Sequence, residues 1–167
     1  MTAEQFSRFV AMGVSGCGKS SIGAGFARAM ALGFTDGDDL HPPANIAKMS
    51  RGAALTDDDR APWIDLVGAE LADGNRVIAC SALKRKYRDQ IRNRAGARVL
   101  FLFLQGDRDT LLMRMAARPG HFMPPSLLDS QLATLELPMA DEDHLTQNIN
   151  QTPAEIIAAF QQGLLRI

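Results

Sequence analysis

The sequence predicts an α/β fold, a five-stranded parallel sheet with helices on both faces, and three observations carry that reading. Short apolar runs alternate with helically spaced segments along the chain. Among them, Val99-Leu100-Phe101-Leu102-Phe103-Leu104 is apolar at every position, as a central parallel strand covered on both faces requires. Residues 13–20 read Gly-Val-Ser-Gly-Cys-Gly-Lys-Ser, a G-x-x-x-x-G-K-S loop set between an apolar run and a helix-forming stretch. The 167 residues suit one domain, 1–167, with a substantial core.

Each element follows in order. Phe9-Val10-Ala11-Met12 is a buried strand leading into the loop, and Ser20 to Met30, rich in Ala, Ile and Phe, is the helix leaving it. Leu32 to Thr35 is a second strand, ending in Asp36-Gly37-Asp38. Pro42 to Met49 forms a short helix with proline near its start. Thr56 caps a longer helix whose first residues, Asp57, Asp58 and Asp59, complement its positive end and which runs through Trp63, Leu66, Val67 and Leu71. Arg76 to Cys80 is the third strand, Lys84 to Asn93 a charged helix, Val99 to Leu104 the fourth strand and Asp107 to Ala117 a further helix. Arg118-Pro-Gly-His-Phe-Met-Pro-Pro125 breaks the pattern and reads as a hinged lid, about 118–125, before a helix from Ser126 to Leu135. Leu145 to Asn150 is a fifth, more polar strand, and Thr152-Pro153 opens the last helix through Ile156, Phe160 and Leu164.

The loop at 13–20 carries specific chemistry. Gly13, Gly16 and Gly18 let successive backbone N–H groups wrap a polyphosphate, with Val14, Ser15 and Cys17 contributing main chain. Lys19 brings a positive charge to the β- and γ-phosphates, Ser20 offers a hydroxyl to Mg²⁺, and Ser21 continues into a helix whose dipole faces the phosphates. The chain is therefore expected to bind ATP with Mg²⁺. With 18 Lys and Arg against 19 Asp and Glu, no strong field favours nucleic acid or an anionic membrane. Met-Thr-Ala-Glu-Gln-Phe lacks a basic segment followed by an apolar one, and no window nears 18 apolar residues, so a cytoplasmic location is expected. Cys17 and Cys80 make no disulfide framework; Cys17, in the loop, is a candidate for a lowered pKa, whereas Cys80 ends an apolar run and is expected to pack.

Many ATPases and GTPases carry a metal-linked Asp at the end of a later apolar strand. Here those strands end Ala79-Cys80-Ser81 and Leu104-Gln105-Gly106, and there is no Asn-Lys-x-Asp guanine reader; the acids come instead after the second strand, as Asp36 and Asp38. That placement disfavours a switch GTPase or a mechanical ATPase. Gly37-Asp38, His41-Pro42, Asn45, Lys48-Met49, Gly52 and Leu55-Thr56-Asp57-Asp58-Asp59-Arg60 with Pro62-Trp63 closely resemble the gluconate kinases. Cys80-Ser81-Ala82-Leu83-Lys84, Tyr87-Arg88-Asp89, Gly120-His121-Phe122, Gln131 and Leu135-Glu136 continue the likeness, which runs from Met12 to about Asn150. The resemblance implies a small P-loop kinase fold like those of shikimate and adenylate kinases. It also implies ATP-dependent phosphorylation of D-gluconate at its 6-hydroxyl, and suggests a homodimer. Cys17 departs from the small residue expected there, and Pro119 interrupts a lid that is usually more basic.

Candidate roles follow from this frame. Phosphoryl transfer asks a protein mainly to position reactants and neutralise charge. Lys19 serves the ATP phosphates. Asp38 is the candidate to orient the acceptor hydroxyl and take its proton, and Asp36, on the same side by strand alternation, is placed to hold a metal-bound water. Arg114 and Arg118, four apart on one helical face, are candidates to bind the nucleotide, with Arg118 also stabilising transferring charge. The resemblance assigns His41 a hydrogen bond to the polyol and Arg60 substrate binding. Lys48 or Arg51 could meet the substrate carboxylate or be solvated. Ser81 and Lys84 follow a strand end, the side where ligands bind, although Ser81 could instead cap the next helix. Tyr87 and Arg88 read as helix-surface residues, His121 and Phe122 as closing the lid over the substrate, Trp63 as core, and Asn150 to Pro153 as an adenine-facing loop. Two other readings stay open: a nucleotide-binding regulator that transfers nothing, and a kinase of another sugar acid, shikimate or a nucleotide.

Overall fold

A computed structural model describes residues 6–118 and 124–167. Its strands are β1 (Arg8–Met12), β2 (Gly33–Asp36), β3 (Arg76–Ala79), β4 (Leu100–Gln105) and β5 (His144–Asn148). All pair in parallel in the order β2-β3-β1-β4-β5. The helices are α1 (Lys19–Ala29), α2 (Pro43–Ser50), α3 (Asp57–Leu71), α4 (Arg85–Ala95), α5 (Arg108–Ala116), α6 (Pro125–Thr134) and α7 (Pro153–Leu164), with a 3₁₀ turn at Gly37–Leu40. No helix among the described residues is long and apolar enough to cross a membrane.

The alternating side-chain direction of the strands divides one sheet between two cores. Phe9, Leu100, Leu102 and Leu104 face Phe26 of α1 and Ile156 and Phe160 of α7. Val10, Met12, Phe101 and Phe103 face Ile64, Val67 and Leu71 of α3 and Ile91 of α4. The unbroken apolar run of β4 is thus explained, since both of its faces are covered. Each fully buried side chain of this size contributes about 1.5–3 kcal/mol by leaving water. The edge strand β5 packs on one side only, hence its polar residues.

Local chemistry sets the helix ends. Thr56 and Asp59 form a reciprocal capping box at the start of α3, and Thr152 and Glu155 do the same for α7, with Pro153 in its first turn. Leu66 faces outward, while Trp63, Val67 and Leu71 at four-residue spacing are buried. The charged helix begins at Arg85 rather than Lys84, and Lys84, not Ser81, is its flanking residue. Lys84 has an extended backbone, φ −98° and ψ 144°, and Ala82 before it a left-handed φ of 46°, so neither continues the helix upstream. Tyr87 and Arg88 are buried rather than on the helix surface, Arg88 completely.

Candidate active site

β1 lies between β3 and β4, so the loop that follows it opens into the crevice where the strand order reverses direction. Gly16 has φ 84°, and a Cβ there would come within 2.9 Å of Met115 Cγ, so a side chain would collide with α5. Gly18, also left-handed, precedes α1 without a side-chain cap, leaving the first helical N–H groups for a ligand. A cleft of about 420 Å³ results, lined by Ser15, Gly16, Gly18, Lys19, Ser20, Ser21, Asp36, Asp38, Met115 and Arg118. The phosphate loop, both acids and Arg118 therefore share one space.

Asp36 organises the acidic side. Its Oδ2 accepts from Ser20 Oγ at 3.0 Å and its Oδ1 accepts from the Asp38 N–H at 3.0 Å. Asp36 and Asp38 reach the same cleft because the chain turns at Gly37 into the 3₁₀ segment, not by alternation along an extended strand. The Ser20 hydroxyl and Asp36 carboxylate are hard oxygen donors. Mg²⁺ typically takes only one or two protein ligands, completing its shell with phosphates and water, so this sparse pair fits the ion.

Across from the phosphate loop stands a second wall. His41 stacks on Trp63 with ring centroids 4.1 Å apart and planes 17° apart. Asn45 Nδ2 lies 3.4 Å from His41 Nδ1 and donates to the Asp59 carbonyl at 2.9 Å. Because an amide nitrogen only donates, His41 Nδ1 accepts and Nε2 carries the proton of the neutral ring. Burial keeps His41 below the ordinary histidine range, against the pull of Asp38. His41 thus presents a neutral donor.

The basic candidates are distributed unequally. Lys48 Nζ sits 2.5 Å from Asp59 Oδ2, and this contact, helped by the Thr56 N–H, holds the Asp59 carboxyl down at about 2. Lys84 Nζ donates to both Asp57 oxygens at 3.3 Å, Lys86 Nζ approaches Oδ2 at 2.5 Å, and the Tyr87 hydroxyl donates to Oδ1. Lys86 and Tyr87 keep the Asp57 carboxyl well below the usual carboxylate range. Arg60 is the looser member of this group, 3.7 Å from Asp57 Oδ1 and 3.3 Å from the Tyr87 hydroxyl. Ser81 contributes through its backbone carbonyl, which accepts from the Gly13 N–H at 3.3 Å and ties the end of β3 to the phosphate loop.

Val14 and Cys17 turn their side chains into the core, leaving only their main chain in the loop. The Cys17 thiol is not activated: burial pushes its pKa up, overriding nearby Lys19. Cys80 packs as expected and is pushed up to about 12. Of the two arginines, Arg114 Nη2 donates to the Ile149 carbonyl at 2.5 Å while Arg118 lines the cleft. His121 and Phe122 lie outside the described residues, as does most of the expected lid.

Other contacts carry no local sequence signal. Gln131 Oε1 accepts from the Ser15 N–H at 2.7 Å, so α6 grips the phosphate loop directly. The Glu136 N–H donates to the Leu83 carbonyl at 2.8 Å, and Glu136 Oε2 accepts from the Arg85 N–H at 2.7 Å. Buried Arg88 donates to the Ala82 and Leu83 carbonyls at 2.9 and 3.2 Å and to Glu142 at 2.8 and 3.1 Å. The segment after α6 therefore braces the loop that carries Ser81 and Lys84.

This sheet order with a phosphate loop after the central strand, two acids after β2 and an arginine at the cleft defines a small phosphate-loop kinase. The family model described as shikimate kinase matches residues 15–163. The thermosensitive gluconokinase of Escherichia coli (strain K12) is 45% identical over 165 residues, covering 95% of this chain and 88% of that protein. The gluconokinase of Gluconobacter oxydans (strain 621H) is 45% identical over 161 residues, covering 91% and 90%. The crystal structure of a gluconokinase from Sinorhizobium meliloti 1021 superposes with a TM-score of 0.90 at 48% identity, covering 98% of this chain and 94% of that one. The chain belongs to the gluconokinase family.

Proposed function

We propose that this protein transfers the γ-phosphoryl group of ATP to the 6-hydroxyl of D-gluconate, releasing 6-phospho-D-gluconate and ADP. The observation that carries the reading is the meeting of Lys19, Asp38 and Arg118 in one cleft, in a chain whose relatives of like length are gluconokinases. Main-chain N–H groups of Gly16, Gly18 and the start of α1, left over once Gly13 and Ser15 have bonded to the Ser81 carbonyl and Gln131, hold the phosphates, and Lys19 and Arg118 neutralise charge as it shifts toward the leaving oxygen. Asp38 accepts a hydrogen bond from the acceptor hydroxyl and takes its proton as the new O–P bond forms and the bond to the β-phosphate oxygen breaks. Ser20, with Asp36 through water, would hold Mg²⁺, which supplies further neutralisation of the β- and γ-phosphates. His41 donates to a substrate hydroxyl. Arg60, less committed than Lys48 or Lys84, is the best placed of the basic groups to meet the substrate carboxylate. The adenine is assigned to the loop after β5, which the Arg114 contact with Ile149 ties to α5, the helix that ends beside Arg118.

Asp38→Asn tests this assignment. It keeps the shape of the turn but removes the proton acceptor, so kcat with gluconate should fall by roughly 10²-fold, the usual scale for losing a general base. The KM for ATP should move little. Steady-state kinetics at saturating ATP give both numbers, and a variant with normal turnover would remove Asp38 from the chemistry.

A further inference from the structure

We propose that Trp63 is a positioning residue for phosphoryl transfer, holding the turn that presents Asp38 and the ring of His41 as a single unit. The inference rests on the kinase reading above and adds to it a residue that touches no reacting atom. Trp63 lies on α3 at 5% exposure, packed with the core residues of that face of the sheet. Its buried Nε1–H donates to the Gly37 carbonyl at 2.7 Å, one residue before Asp38. A Cβ on Gly37 would stand only 2.4 Å from the Ala79 carbonyl oxygen, so the turn packs closely on β3 as well as bonding to the indole. The indole face carries the His41 ring in a near-parallel stack.

Only tryptophan combines a face this broad with a ring N–H donor, so the two contacts fix two acceptor-side groups through one rigid side chain. Reaction rates respond steeply to such placement: a shift of about 1 Å in a reacting group can cost roughly 10²-fold. A role confined to core packing would appear in thermal stability and leave turnover at moderate temperature unchanged. A positioning role would appear in kcat.

Trp63→Phe separates these roles, because it keeps an aromatic face for His41 and deletes the bond to Gly37. With saturating ATP and gluconate, well below the melting temperature of the variant, kcat should fall about tenfold, within the range that misplacement produces. The KM for ATP should stay within twofold, since the phosphate loop is untouched. Trp63 is the sole tryptophan, so its emission reports on this stack alone. Gluconate added without ATP to the wild-type protein should alter that emission by occupying His41. An unchanged kcat in a folded variant would overturn the proposal. If Trp63→Phe fails to fold, the wild-type emission decides: a gluconate-dependent change supports the proposal, and none contradicts it. Wild-type turnover is measured in the same preparation. Its absence would sink the kinase reading, whereas its presence with a fully active Trp63→Phe would sink only the positioning role.

Discussion

Lys19→Met is expected to cripple phosphoryl transfer, lowering kcat by about 10²–10³-fold, while the fold stays intact. Lys19 opens α1 and faces the cleft beside Ser20, Asp36 and Arg118. Its ammonium is a fixed charge directed at the phosphates that carry the developing negative charge, and removing one such stabilising group commonly costs 10²–10³-fold or so in turnover. Methionine has nearly the same length, and the site is partly open to water, so little packing is lost. Circular dichroism and a thermal melt should therefore match wild type. Turnover near the wild-type rate would show that the phosphate loop does not serve the reaction in the assigned way.

The largest effect on stability is expected from Glu142→Gln. Arg88 and Glu142 are both fully buried, and Glu142 also accepts from Arg92 Nη2 and from the Met139 N–H, each at 2.9 Å. Glutamine leaves the Arg88 charge without its counter-ion, and breaking a buried pair in this way costs about 3–5 kcal/mol. At roughly 2–4 °C per kcal/mol for a domain of this size, the melting temperature should drop by about 10 °C. Turnover should suffer too, because Arg88 holds the Ala82 and Leu83 carbonyls just before Lys84. A second signature lies in pH. Burial alone would raise the Glu142 carboxyl, but the bonds from Arg88, Met139 and Arg92 outweigh it and hold it down at about 2. A carboxyl depressed in the folded state contributes stability that is complete above its unfolded pKa, about 4.3, and is lost as pH falls toward its folded value. The stability difference between wild type and Glu142→Gln should therefore be largest near neutrality and shrink below about pH 4.5. Thermal melts across that range measure it. A difference that does not vary with pH would remove the ionised pair as its source.

Groups legible in the sequence were those whose role is set by near neighbours along the chain. The phosphate loop is contiguous, the strands declare themselves by apolar runs, and Asp36 and Asp38 follow β2 at the ligand side of the sheet. Even there, the local turn was hidden: Asp36 accepts from the Asp38 N–H in a 3₁₀ segment where alternation suggested extension. Asp57 reads in sequence as one of three acids suited to a helix start. Its partners Lys84, Lys86 and Tyr87 come from another helix and its approach, 27–30 residues on. Arg88 in a charged helix looks solvated until Glu142, 54 residues away, is brought beneath it. Gln131 reaches Ser15 across 116 residues. Cys17 shows the converse failure, since its place in a phosphate-binding loop suggested a lowered pKa, yet the loop turns that side chain into the core and burial raises it. Such contacts depend on how layers pack, which local pattern does not encode.

The most direct measurement is ADP release from Mg-ATP with gluconate, glucose, shikimate or AMP as the sole acceptor, with the product identified by ³¹P and ¹H NMR. A site that pairs donors with the hydroxyls and carboxylate of gluconate leaves those donors unmatched when a substrate lacks the partners, and such sites discriminate strongly. Neutral glucose should therefore be a poor acceptor, and shikimate and AMP should give little turnover. Gluconate should drive ADP release and yield a single phosphomonoester on its terminal C6 oxygen. Robust phosphorylation of glucose, shikimate or AMP with gluconate inert would contradict the acceptor assignment, and ADP release that no acceptor stimulates would contradict phosphoryl transfer to a small molecule altogether.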